Sequence, residues 1–382
     1  MGEFLIVDFG FWIDNWSSFA ARRDYLWITS QMKLETRTRF IAPNNYGGFF
    51  MTIFPMKSKN SQPFVVGVGS ALMDILLFES EQFVADHGLI KGGMEIVGHE
   101  RADELLADSG NASAARLVPG GSACNTTIGL GRLCGKAVFI GTRGDDELGM
   151  TLEASISLNG VTPRLWKSST PTGRVLSVIT PDAERTMLTY LGASSETSAE
   201  MMSPDLFRGA DMVHVEGYLL LNEPLIRAVL ESAEIAEVPV SLDLASFTVV
   251  NATLGLTKEL VRKYVSVLLA NEAEARSYTG VIDELEALKI LAGDAECAVL
   301  KVGKRGSYVC LHNEITKIAP FGSCAALDTT GAGDLWASGF IYGLINGKPI
   351  AECGRIASLC GYEVCQVEGA HISEEGWKRI KS

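Results

Sequence analysis

Six short apolar runs, most of them rich in valine, recur along the chain with room for a helix between most of them. No other feature limits the fold as strongly. The runs are FVVGVGS (Phe64 to Ser70), AVFIG (Ala137 to Gly141), MVHVEG (Met212 to Gly217), VPVSLDL (Val238 to Leu244), VSVLLAN (Val265 to Asn271) and CAVLKVG (Cys297 to Gly303). Their length and β-branched content suit strands buried on both faces. Helix-compatible segments lie between them, among them Glu223 to Ala236, Leu254 to Tyr264 and Ile282 to Ala292. Strand and helix in alternation predict crossover units and an α/β fold of three layers, with a mainly parallel central sheet. Two segments break the rhythm, Gly88 to Glu100 and Arg174 to Leu191, where RVLSVIT and RTMLTYL flank the turn-forming PDAE. Strand, turn and strand there predict a small β-layer attached to the α/β body.

Composition excludes several classes. A hydrophobic fraction of 47% with 21% charged residues rules out a wholly disordered chain. With 33 basic against 46 acidic side chains the net charge is -13. That argues against a cationic surface for nucleic acid, though not against a local pocket for one small anion. The eight cysteines form no CxxC pair and sit in apolar stretches, as reduced, mostly buried thiols do. The first sixteen residues carry Glu3, Asp8 and Asp14 in place of a signal peptide's basic start, and prolines and glycines interrupt Phe40 to Met56. The expectation is a cytoplasmic protein with no membrane partner, a monomer or a homodimer. Residues 1–62 hold no sustained period and are expected to be an extension preceding a domain at 63–382. That segment is either a loosely packed or upstream-initiated stretch, or a partner-binding arm using Trp12, Trp16 and Trp27.

The most informative stretch for chemistry is LDTTGAGDLWASGFIYGL, Leu327 to Leu344. A small-residue turn at Gly331, Ala332 and Gly333 feeding a helix leaves backbone N–H groups unpaired beside the positive end of the helix, which makes an anion site. Asp334 in the first turn either complements the dipole or takes a proton from a hydroxyl that attacks a bound phosphate. In VPGGSACNTTIGLGRLCG, Gly120 and Gly121 would let a ligand approach while Asn125 bonds it; the plainer reading is a helix start capped by Ser122 or Asn125. TRGDDELG, Thr142 to Gly149, reads as a solvated turn. Asp74, inside the apolar SALMDILL, is either solvated at a sheet edge or bonded to a ligand. Strand ends are where ligands bind in such sheets, which brings in Glu216, Asn271 and Glu274, and Gly303 with Gly306. Asn271 and Glu274 would suit Mg²⁺, or merely cap a helix. No GxxxxGK[ST] loop, HExxH or GxSxG occurs.

DTTGAGDLWASGF resembles the C-terminal signature of the PfkB, or ribokinase-like, carbohydrate and nucleoside kinases. GGSACNTTIGLGRLCGKAVFIGTRGDDELG resembles their N-terminal one. GLIKGGM, TMLTYLGAS, EGYLL and ANEAEA are most similar to the adenosine-kinase-like branch. The resemblance implies a β-sheet lid, with segments at about 85–100 and 172–192. It implies that Asp334 is the base and that Gly331, Ala332 and Gly333 form the anion hole. Asp74, Gly120, Gly121 and Asn125 would hold sugar hydroxyls, joined on the substrate side by Glu216 and, from a lid strand, Arg174. Asn271 and Glu274 match the NxxE motif tied to Mg²⁺ and phosphate. Lys301, Gly303, Gly306, Thr330 and Ser358 fall on the nucleotide side, Ser358 where many relatives carry asparagine or histidine beside the adenine. The implied function is ATP- and Mg²⁺-dependent phosphorylation of a nucleoside or sugar hydroxyl, with K⁺ as a candidate monovalent cofactor. A free-sugar kinase is the alternative; a non-catalytic binding protein is disfavoured because base, anion turn and NxxE are all present.

Overall fold

Each of the six apolar runs becomes a strand of one sheet. The computed structural model describes residues 62–111, 115–182, 184–323 and 325–382, so the extension expected at 1–62 lies, apart from Gln62, outside the described residues. The strands in chain order are β1 Val65–Val68, β2 Leu72–Phe78, β3 Met94–Ile96, β4 Arg116–Gly120, β5 Ala137–Gly144, β6 Val161–Ser168, β7 Gly173–Ile179, β8 Arg185–Tyr190, β9 Met212–Glu216, β10 Val240–Asp243, β11 Val265–Asn271, β12 Cys297–Lys301, β13 Ser307–Leu311 and β14 Glu314–Ile318. The larger sheet runs β14-β13-β12-β11-β10-β9-β1-β5-β6. From β12 to β6 every pairing is parallel; β13 and β14 add an antiparallel edge.

Successive side chains of a strand point to opposite faces, and here both faces are apolar. Val66, Val68, Val213, Val215 and Leu242 pack with the helices Glu223–Ile235 and Phe247–Tyr264 through Leu225, Val229, Val250 and Leu260. Val65, Met212, Val267, Leu269 and Val299 face the helices Ala332–Ile345 and Ile350–Val364 through Trp336, Phe340 and Ala357. Two covered faces give the three layers expected.

The smaller sheet runs β3-β8-β7-β2-β4. It is wider than the two rhythm-breaking segments, because Leu72–Phe78 and Arg116–Gly120 join it. One face, carrying Ile75, Leu77, Leu176, Val178 and Leu188, packs on Phe83, Val84, Ala102 and Leu105 of the helices Glu81–Asp86 and His99–Asp108. The other face looks toward the carboxyl ends of the large sheet.

TRGDDELG departs from the solvated turn expected. The strand β5 runs on through Thr142 and Arg143, both buried. Arg143 bonds Glu153 and the Gly144 carbonyl, which is how a guanidinium tolerates that depth. Asp146 then caps the helix Glu147–Leu158 and accepts from Thr172 N at 2.8 Å, tying the start of β7 to the body. Seven described cysteines are free, six of them buried. No helix among the described residues is long and apolar enough to cross a membrane.

Candidate active site

Between the carboxyl ends of β9 to β12 and the open face of the smaller sheet lies a cavity of about 1280 Å³. Glu216, Asp243, Asn271 and Lys301 reach it because each ends its strand or nearly so, while Asp74, Val175, Arg185 and Met187 reach it from the smaller sheet. Asp334, Gly331, Gly333 and Thr330 enter from the start of the helix Ala332–Ile345.

Gly331 precedes that helix at φ 71°, a left-handed conformation that glycine adopts without strain, and it turns the chain so that the helix start faces the cavity. Ala332 N–H closes onto Thr329 O at 3.1 Å, leaving Gly331 and Gly333 as the outward donors of the turn. Lys301 lies beside them, its Nζ 3.2 Å from where a Cβ on Gly333 would stand. The same ammonium bonds Asp243 Oδ2 at 2.6 Å. Burial would lower the Lys301 pKa, but Asp243 and Glu274 outweigh it and raise it, so the cation is held charged next to the turn.

Asp334, in the first helical turn, is half-buried. Ser122 Oγ donates to its Oδ1 at 2.8 Å and Asn125 Nδ2 to its Oδ2 at 3.0 Å. Burial pushes the carboxyl up to about 6 against the pull of those two bonds, with Asp243 raising it further and Lys301 lowering it. Ser122 and Asn125 are three residues apart in the helix Ser122–Cys134, which places them on one face. Neither caps that helix; Gly121 does, without a side-chain bond, so both side chains are available for Asp334. Asn125 is 5% exposed, and with its amide nitrogen committed to Asp334 its Oδ1 has no partner among the described residues.

Asp74, on β2, is 5% exposed and neither solvated nor at an edge. A Cβ on Gly120 would come within 2.3 Å of its Oδ1, so glycine there is what lets the carboxylate pack. Burial raises Asp74 to about 6, opposed by Arg185, whose Nη2 stands 3.4 Å away. Arg185 also donates to Ser177 Oγ at 2.6 Å and approaches Asp328 Oδ2 at 3.9 Å. Asp328, on the DTTGAGD segment, is held down despite burial by hydrogen bonds from Gly369 N and Thr330 and by the charge of Arg185.

Among the expected site residues, Arg174 points away from the cavity. Arg174 shares strand parity with Leu176 and Val178, so it points to the helix-covered face, where it pairs with Asp103 and lies over the Tyr190 ring. The arginine in the cavity is Arg185, on the alternate parity with Met187 and Thr189. Glu216 lines the cavity, yet both carboxylate oxygens are taken by backbone, Ser70 N at 2.8 Å and Ala123 N at 2.9 Å. Its position is that of a strut between two glycine-containing turns. Gly303 and Gly306 form the turn between β12 and β13, just beyond the cavity-lining Lys301, and Ser358, on the helix Ile350–Val364, donates to Ala319 O at 3.0 Å.

Asn271 and Glu274 combine the two alternatives. They form a capping box, Glu274 N donating to Asn271 Oδ1 at 2.9 Å and Asn271 N to Glu274 Oε2 at 2.8 Å, and both still line the cavity. Burial and the neighbouring Asp243 raise the Glu274 carboxyl. Asp243 and Arg185 were not singled out by their residue type. Parity within RTMLTYL points to Arg185, and the position of Asp243 at a strand end is the signal for it.

A mainly parallel sheet whose strand ends, with an N-terminal helix turn and a smaller sheet, surround a half-buried carboxylate is a ribokinase-like architecture. The chain belongs to the pfkB family of carbohydrate kinases, whose model matches residues 94–376. It is similar to the adenosine kinase from Sinorhizobium meliloti, with 29% identity and a TM-score of 0.77 over 84% of this chain and 99% of that one. A probable sugar kinase from Rhizobium etli is 31% identical with the same TM-score, over 84% and 98%. A probable fructokinase-4 of Arabidopsis thaliana is 26% identical over 66% of this chain and 83% of its own. Kinases of this family transfer a phosphoryl group from ATP to sugars or nucleosides.

Proposed function

We propose that the protein transfers the γ-phosphoryl group of ATP to a hydroxyl of a nucleoside of the adenosine kind, with Asp334 as general base and the Gly331–Gly333 turn as anion hole. The observation that carries this reading is the placement of Asp334: a carboxylate gripped by Ser122 and Asn125 at the mouth of an anion-binding turn, in one cavity with Asp74. The unpartnered Asn125 Oδ1 and the Asp74 carboxylate are acceptors suited to donating hydroxyls. With an acceptor so held, its hydroxyl oxygen attacks the γ-phosphorus, its proton passes to Asp334, and the bond from the γ-phosphorus to the β–γ bridging oxygen breaks to leave ADP. Gly331 and Gly333 N–H and the Lys301 ammonium meet charge on the transferring group.

The oxygen-rich pair Asn271 and Glu274 suits a hard cation, since each oxygen used in the capping box keeps a further lone pair and the pair lines the cavity. These are the residues that would hold Mg²⁺, which when bound neutralises phosphate charge. The smaller sheet acts as a lid whose approach excludes water from the phosphates. Its cavity-facing Met94, Ile96, Val175 and Met187 favour an acceptor with a flat apolar part over a free sugar.

Purified protein given ATP, Mg²⁺ and a panel of nucleosides and free sugars tests the proposal. ADP formation strongest with a purine nucleoside is the expected result. Stronger turnover of ribose or fructose moves the acceptor class to free sugars, and no ADP with any acceptor removes the enzyme reading.

A further inference from the structure

The helix Ser122–Cys134 and the helix Ala332–Ile345 are laced together by side chains at the level of Asp334. Thr126 Oγ1 donates to the Asp334 carbonyl at 3.2 Å, and Ser338 Oγ reaches Thr126 O at 2.9 Å. Above that lacing, Asn125 and Ser122 each donate to a different carboxylate oxygen. Asn125 faces the acceptor through its free Oδ1, but the Ser122 hydroxyl has spent its one proton on Asp334. Ser122 therefore acts on the base before it acts on any ligand.

We propose that Ser122 is a positioning residue for the base: with Asn125 it grips both oxygens of Asp334, fixing the plane of the carboxylate and favouring its ionised, proton-accepting form. This rests on the reading of Asp334 as general base. The argument is one of competing neighbours. Asp243 repels a negative charge on Asp334, that charge in turn raises Glu274, Tyr218 and Cys124, and Lys301, which attracts it, is already bonded to Asp243. Two of those neighbours are acidic, so the ionised carboxylate depends on hydrogen bonds that charge alone does not supply. A hydrogen bond to an ionised group is among the stronger ones, and its loss falls entirely on the charged form.

Ser122→Ala and Ser122→Thr, compared with the parent protein, test this in two independent ways. The pH profile of kcat/KM for the best acceptor of the panel should show its acid limb displaced upward by about one pH unit in Ser122→Ala. That is a loss of about tenfold at pH 5 and almost none at pH 8. Ser122→Thr, which keeps the hydroxyl, should restore the parent profile. The second readout needs no turnover: carboxyl-labelled aspartate followed by ¹³C NMR, with the Asp334 signal identified by its absence in Asp334→Asn, should titrate higher in Ser122→Ala. An Asp334 titration unmoved by Ser122→Ala overturns the proposal, as does a loss of activity equal at pH 5 and pH 8. If Asp334 titrates higher but no acceptor is turned over, the grip stands and the kinase reading falls.

Discussion

Arg185 Nη2 stands 3.4 Å from Asp74 Oδ2, a pair formed across the smaller sheet between strands β8 and β2, which are separated by β7. Both groups face the cavity, and the Nε and Nη1 of Arg185 have no hydrogen-bond partner among the described residues. The pair supplies one acceptor and spare donors to whatever enters between the sheets. Replacing Arg185 by methionine leaves Asp74 buried without its counter-charge, and kcat/KM for the acceptor should fall at least about tenfold. Arg174→Met, on the covered face, should leave kcat/KM within about twofold while lowering the melting temperature. Steady-state kinetics on the two variants side by side decides which arginine serves the site.

On the proposed reading, Asp334→Asn removes the proton acceptor and keeps the shape. Transfer should fall by about 10²–10⁴-fold with ATP affinity nearly unchanged. Calorimetric titration of ATP beside a coupled assay for ADP checks both halves; a variant that keeps most of its turnover takes Asp334 out of the base role.

The same substitution has a stability signature with a defined sign. The Asp334 carboxyl lies near 3.8 when unfolded and is raised to about 6 by burial in the fold. Between those values the unfolded chain gives up its proton first, so this group's contribution to stability is present below pH 3.8 and is lost as the pH rises through 6. Asparagine does not titrate. Relative to the parent, Asp334→Asn should melt roughly 2–4 °C more favourably at pH 8 than at pH 5. Thermal unfolding at the two pH values measures that difference, and an equal offset at both would show that the carboxyl is not raised.

Alanine at Asn271 or Glu274 removes a capping box and an oxygen from the cavity at once. The cap alone costs about 1 kcal/mol of stability. The functional expectation is separate: several-fold more Mg²⁺ to reach half-maximal activity. A Mg²⁺ titration indistinguishable from that of the parent would confine the pair to holding the helix Glu272–Thr279.

The large sheet was legible because buried parallel strands leave a local mark. VSVLLAN became β11 without change of boundary, and helices were expected where Glu223–Ile235 and Glu284–Asp294 occur. The edge strand β6 was not singled out, since VTPRLWKS carries Pro163 and alternates with charged residues, as edge strands do. The strand β2 escaped because Asp74 interrupts its apolar run, and only the distant Arg185 explains how that charge is accommodated. The glycine-rich turn and Asp334 stood out by residue type, whereas the partners of Asp334 did not. Ser122 read as a cap and Asn125 as a cap or a ligand's partner, and their bonds to Asp334 span about 210 positions of sequence, a relation no local pattern contains.

The hydroxyl lacing of Thr126 and Ser338 binds Asp334 and its holders to the body, while Arg185, Met187 and Ile96 project from the smaller sheet. On the proposed reading, the base lies on the body and the apolar acceptor contacts lie on the smaller sheet, with Asn125 serving both. An engineer could exchange the cavity face of the smaller sheet to admit a new acceptor and leave the proton-transfer machinery untouched.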